Sequence, residues 1–97
     1  MTEIKYTDHL KRRLELRDIP VNWPKEIVQE AQSYYYDNQT DNLIAVGKRN
    51  YEGRKRDIMV AFEEIAEGLV LITIHPLKTG QKERRVKRDR WTKYEKQ

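Results

Sequence analysis

The segment Gly68-Leu69-Val70-Leu71-Ile72-Thr73-Ile74-His75-Pro76 decides how this chain is read. Residues 69–74 are all Leu, Val, Ile or Thr, a run that favours extended backbone. Pro76 stops it, because proline brings no N–H to a sheet ladder. So apolar a strand is expected to be interior, covered on much of both faces. Strict alternation sets Leu69, Leu71, Thr73 and His75 on one face and Val70, Ile72 and Ile74 on the other. The second set is expected to meet helices. Thr73 and His75 then look out of the opposite face.

Working outward, Glu67-Gly68 and Glu52-Gly53 read as turns. Between them Ile58-Met59-Val60-Ala61-Phe62 is strand-like, and Leu43-Ile44-Ala45-Val46 leads another strand. The expected strands span about 43–50, 55–64 and 68–75. The run Asp37-Asn38-Gln39-Thr40-Asp41-Asn42 is a loop. The first third is helical, with helices over about 8–18 and 24–36. Thr7 or Asp8 can cap the first, and Leu10 and Leu14 form its apolar stripe. Pro24 suits the first turn of the second, with Ile27, Val28, Ala31 and Tyr34 or Tyr35 as its buried face. Beyond the Lys78-Thr79-Gly80 turn, residues 82–94 are a basic strand or helix. The fold class is α+β: two N-terminal helices on one face of a three- to four-stranded antiparallel sheet, in a single domain over 1–97.

Charge is unevenly distributed. The 97 residues carry 20 Lys and Arg against 16 Asp and Glu. Residues 1–78 sum to −1 (12 against 13) and residues 79–97 to +5 (8 against 3). A smaller basic knot of Lys48, Arg49, Arg54, Lys55 and Arg56 surrounds Tyr51-Glu52-Gly53. There is no cysteine, so disulfide frameworks and thiolate zinc sites are excluded. The only histidines are His9 and His75, without metal-ligand spacing, and no glycine-rich phosphate loop or Gly-x-Ser-x-Gly elbow is present. No metal or cofactor is expected. No apolar run reaches the roughly 20 residues of a membrane span, and the expected location is the cytoplasm.

The excess positive charge points to nucleic acid, because lysines and arginines that neutralise phosphates release counterions. Arg84, Arg85, Arg88 and Arg90 are candidate phosphate contacts, and Trp91 is a candidate platform for an unpaired base. The competing reading is a charged, aggregation-resistant edge with Trp91 folded onto the core. RNA cleavage without metal needs a base for the 2′-hydroxyl, an acid for the 5′ leaving oxygen and cations for the phosphorus centre. His9 and His75 are candidates for the base and acid. Thr73 can orient a phosphate oxygen, and Arg49 can share its face if the strand register allows. Arg12, Arg13 and Arg17 follow His9 on one helix, with His9 and Arg13 spaced to approach each other. A permanent cation beside an imidazole favours its neutral form, which suits a base. The alternative is a helix whose arginines pair with Glu15, Asp18 or Glu26.

The stretch His9-Leu-Lys-Arg12-Arg13-Leu-Glu-Leu-Arg17-Asp-Ile19 resembles the opening helix of a family of small uncharacterised bacterial and archaeal domains. In that family a histidine is followed by an arginine three or four residues on. An Arg-Gly-Ile-like turn, a second helix and a meander with a Val/Ile-Thr-Val/Ile core strand come next. Arg17-Asp18-Ile19, the helix from Pro24 and Leu71-Ile72-Thr73-Ile74 fill those places, over about residues 7–75. Asp18 stands where the family has glycine. These domains look like the barnase–EndoU–colicin–RelE-like class of metal-free ribonucleases and toxins. The resemblance implies an RNA-cleaving or RNA-binding fold, with His9, Arg12 or Arg13, Arg17 and Thr73 as site residues. The expectation is an RNA-directed domain, a metal-independent endoribonuclease of toxin type with RNA and an antitoxin-like protein as partners. The alternative is a non-catalytic module that binds nucleic acid or protein. A phage-associated interaction protein is a third class, which an exposed apolar patch would favour.

Overall fold

The computed structural model describes residues 3–95. Its elements are β1 (Glu3–Tyr6), α1 (Asp8–Leu16), α2 (Trp23–Glu30), β2 (Ser33–Asp37), β3 (Leu43–Tyr51), β4 (Arg54–Ile65), β5 (Gly68–Pro76), α3 (Gln81–Lys87) and β6 (Trp91–Tyr94). The class is α+β, but the expected three or four antiparallel strands are six in a mixed sheet ordered β1-β5-β4-β3-β2-β6. β1 pairs parallel to β5, and every other pairing is antiparallel.

The central meander β3-β4-β5 follows the sequence reading. The edges do not. The helix expected over 24–36 ends at Glu30, and Ala31 leaves helical dihedrals at φ −59° and ψ 136°. Residues 33–37 instead form β2. Tyr34, Tyr35 and Tyr36 favour strand, and alternation lets them serve both faces of the sheet. Tyr34 packs edge-on to Phe62 on the α1/α2 side, while Tyr35 stacks on Trp91 on the other side. The basic stretch 82–94 is both helix and strand, since α3 and β6 each take part of it.

β5 also departs from strict alternation. Ala61 pairs with Thr73 and Phe62 with Leu71, so Ile72 is the extra residue of a β-bulge. The bulge reverses the facing of the strand's first half. Leu69, Leu71 and Ile74 join Leu10, Leu14, Ile27, Val28, Ile58, Val60 and Phe62 in the core beneath α1 and α2. Ile72, expected to meet the helices, instead packs partly against the opposite cluster of Tyr35, Ile44, Met59, Ala61, Leu77 and Trp91. Thr73 and His75 still face away from the helices, opposite Ala61 and Met59. This distal face carries α3, with the Arg85 guanidinium 5.0 Å from the Trp91 ring centre.

α1 is capped at both ends. The Thr7 hydroxyl accepts the Leu10 N–H at its start. At its end, Asp18 N–H donates to Glu15 O and Ile19 N–H to Leu14 O, a Schellman closure. Asp18 takes the left-handed conformation that this closure demands, at φ 51°. Asp tolerates that region better than most residues, and glycine tolerates it without cost.

Among the described residues, no helix is long and apolar enough to cross a membrane.

Candidate functional site

β1 pairs with β5 only as far as Tyr6 and Leu71, so from Ile72 onward this edge of β5 has no strand neighbour among the described residues. α1 occupies the gap. Thr7 ties it there, its N–H donating to Leu71 O and its hydroxyl to Ile72 O. Leu10 and Leu14 turn into the core. The adjacent stripe His9, Arg13 and Arg17 is spaced i, i+4, i+8, about 12 Å of helix. It lies alongside Thr73 and His75.

The His9 Nε2 lies 3.1 Å from Thr73 Oγ1, and Arg13 Nε–H approaches the same nitrogen at 3.4 Å. Arginine only donates, so that approach requires the His9 Nε2 lone pair, and the Thr73 hydroxyl then donates to it. One turn further along, Arg17 Nη2 lies 3.5 Å from His75 Nδ1. By the same logic His75 Nδ1 accepts and its ring proton sits on Nε2. Burial of the half-buried His75 ring, then the cations Arg17, Arg13 and Arg85, with His9, lower its pKa from 6.5 to about 4. His75 is therefore neutral at pH 7.

Arg17 is held from several directions. Its backbone caps α1, and its carbonyl accepts the Tyr51 hydroxyl at 2.7 Å. Its Nε is buried, with no hydrogen-bond partner among the described residues. Among the described residues, neither Arg13, Arg17 nor Arg85 forms an ion pair. Arg13, Arg17 and two imidazoles thus gather around the Thr73 edge of β5, and the Arg85 charge is felt at His75, with no ion-paired carboxylate among the described residues. That electrostatic environment favours an anion.

The other residues singled out from sequence fall elsewhere. Arg12 is exposed on α1 and forms no ion pair among the described residues. Arg84 and Arg88 are exposed on and after α3. Arg49 does not share the face of Thr73. It reaches Glu26 at 3.5 Å and Glu30 at 3.8 Å on α2, because odd-numbered β3 residues point to the helices. Trp91 is not available to a base. Its ring is 1% exposed, stacks on Tyr35 and donates its indole N–H to Asp37 at 3.3 Å. Arg90 reaches the same carboxylate at 3.4 Å. These two residues anchor β6.

Asp37 is the group that sequence reasoning missed. It is 2% exposed. Burial alone would raise its pKa, but hydrogen bonds from the backbone of Gln39 and Thr40 and the charge of Arg90 bring it below 3.8. A lone Asp opening a polar loop gives no sign of such a partner set. Tyr51 likewise gave no sign that it positions Arg17, because that contact depends on β3 meeting the end of α1.

Among the described residues, no group of three or more His, Cys, Asp or Glu is placed to hold a metal ion. Comparison with family models, with curated proteins and with solved structures returned no match.

Proposed function

We propose that this chain is an RNA-directed domain, a metal-independent endoribonuclease of the toxin type that its opening helix resembles. One observation supports the reading above all. Side chains 58 and 64 positions apart meet in two contacts, Arg17 with His75 and His9 with Thr73, on one edge of the sheet. The set has the chemical types that cleavage by the 2′-hydroxyl needs.

In this mechanism the scissile phosphate sits among Arg13, Arg17 and Arg85, with Thr73 directing one of its oxygens. As Thr73 turns its hydroxyl to the phosphate, the 2′-hydroxyl takes its place at the His9 Nε2 lone pair, which accepts the 2′-hydroxyl proton. The 2′-oxygen bonds to phosphorus and the P–O5′ bond breaks. His75, kept neutral first by burial and then by the arginines, donates a hydrogen bond from its Nε2–H to the 5′-oxygen, which takes its proton from solvent water. The products are a 2′,3′-cyclic phosphate and a 5′-hydroxyl. The reading places the protein in the cytoplasm, with RNA as substrate and an antitoxin-like protein as partner.

The test is incubation of mixed-sequence RNA with excess chelator, followed by end-group analysis. Cleavage should persist and leave 2′,3′-cyclic or 3′-phosphate ends. His9→Ala should slow it roughly 10²-fold or more with thermal stability nearly unchanged, since His9 is exposed. Intact RNA after incubation with folded protein that binds it would favour a non-catalytic binding module. One feature favours a protein partner for such a module. Leu16 is 78% and Val21 64% exposed, on either side of the Asp18–Pro20 turn.

A further inference from the structure

The basic knot around the β3–β4 turn plays no part in the site above. In three dimensions it gains further members. Lys48, Arg54, Lys55, Arg56 and Asp57 join Leu77, Lys78, Thr79, Gly80 and Glu83 in lining one cavity of about 390 Å³. That is within the usual size range of small-ligand sites. Five of the lining residues are cations and two are carboxylates. Asp57 is already bonded to Lys48 at 3.0 Å, and Glu83 lies 3.8 Å from Lys82. Among the described residues, Arg54, Lys55 and Lys78 form no ion pair. Arg56 gives Nη2 to Leu77 O at 3.2 Å and stands 3.9 Å from Glu52, while its Nε is buried without a partner.

A basic hairpin tip exposed only for solubility would not converge with a segment 20 residues further along. Here the Leu77 N–H donates to Asp57 O at 2.8 Å, which fixes Lys78 against the hairpin. Lys48 and Asp57 pair across β3 and β4 in register with Val46, Met59 and Ala61 of the distal face. His75 stands on that same face three residues before Lys78, about 10 Å of extended chain. α3 follows directly, with Glu83 lining the cavity and Arg85 over the Trp91 ring of the distal face.

We propose that this cavity is a second phosphate subsite, which takes a backbone phosphate of the same RNA strand whose neighbouring phosphate lies at His9 and His75. The proposal rests on the RNA reading of the first site. Arg54, Lys55 and Lys78 bind the phosphate. Its contribution is to register and affinity, since phosphate contacts position a strand without reading its sequence.

The experiment compares the full chain with Arg54→Ala/Lys55→Ala and, separately, Lys78→Ala. All three residues are exposed, so the variants should fold. Binding of a 12-nucleotide single-stranded RNA carrying 2′-O-methyl groups, which leave the first site no 2′-hydroxyl to activate, is measured by fluorescence anisotropy from 50 to 200 mM salt, and cleavage of an unmodified dinucleoside monophosphate is followed in parallel. Losing the one phosphate that this subsite neutralises should flatten the salt slope by about 0.7. Across this fourfold salt range the wild type should then lose about 2.6-fold more affinity than the double variant. Dinucleotide cleavage should be unchanged, because so short a substrate spans only the first site. Unchanged 12-mer affinity and slope in both variants would overturn the subsite while leaving the first site's reading intact. Failure of the wild type to bind the 12-mer would overturn both. Equal losses on the 12-mer and the dinucleotide would mean that these cations serve the first site, and would also overturn the proposal.

Discussion

The neutral state of His75 can be tested directly by replacing Arg17 with Gln. Burial and the cations Arg17, Arg13 and Arg85 bring the His75 pKa down to about 4. Arg17 has the largest effect of these cations and is the one in contact, at 3.5 Å. A unit charge at about 4 Å is worth about 1 kcal/mol in a watery environment and several times more when buried. For a half-buried ring the lower end applies. Removing the Arg17 charge should therefore raise the His75 midpoint by roughly 0.7 of a pH unit. The assay is two-dimensional NMR of the imidazole carbon-bound protons between pH 3 and 8, with His9→Gln to assign the two rings. Inorganic phosphate should raise the wild-type midpoint in the same direction, because a bound anion offsets the same cations. A wild-type midpoint near 6.5, or one that Arg17→Gln leaves in place, would refute the placement of Arg17 against His75. The stability consequence has a definite sign. Between pH 6.5 and about 4 the unfolded chain binds a proton at this position that the folded protein does not. Stability therefore falls as pH falls through that window and is unaffected above it. Allowing for solvent screening of a half-buried ring, the loss is about 1–2 kcal/mol. His75→Gln should abolish that part of the acid sensitivity.

Three further outcomes follow from the fold. Leu71→Ala should cost about 2–5 kcal/mol in denaturant unfolding, because Leu71 is fully buried beneath α1 and α2. Ile72→Ala, at the bulge and only partly covered, should cost clearly less, and equal losses would contradict the bulge. Asp18→Gly should stabilise the protein by up to about 1 kcal/mol, read as a rise in Tm, since it relieves a left-handed residue at the end of α1. Asp37→Ala should destabilise by about 3 kcal/mol by stranding Arg90 and the Trp91 indole N–H. The stabilisation from Asp37 is present above its unfolded pKa near 3.8 and is lost as pH falls through its lower folded value. A denaturation midpoint for Asp37→Ala equal to the wild type at pH 7 would refute its anchoring role.

Local signals were sufficient for some of this protein. The β3-β4-β5 meander could be read because each strand carries an apolar run with β-branched residues and the turns carry Gly53 and Gly68. α1 could be read because Thr7 caps it and Leu10 and Leu14 give it one apolar stripe. The spacing of His9 and Arg13 also comes directly from helix periodicity, whereas Arg17 reaches the same edge from the C-cap position. What failed was decided by partners distant in sequence. Residues 31–36 fit a helical period on paper, but Tyr34 to Tyr36 gain more by lying between β3 and β6, with one ring on Phe62 and another on Trp91. β1 has four residues and exists only because the start of β5 offers it a parallel edge. The bulge at Ile72 reflects a register between β4 and β5 that no single strand encodes. Trp91 and Arg90 looked like a nucleic-acid surface until the buried Asp37 carboxylate claimed both. The meeting of His9 with Thr73 was likewise a tertiary decision. It arises because β1 stops at Tyr6, which leaves β5 an open edge just long enough for α1 to occupy.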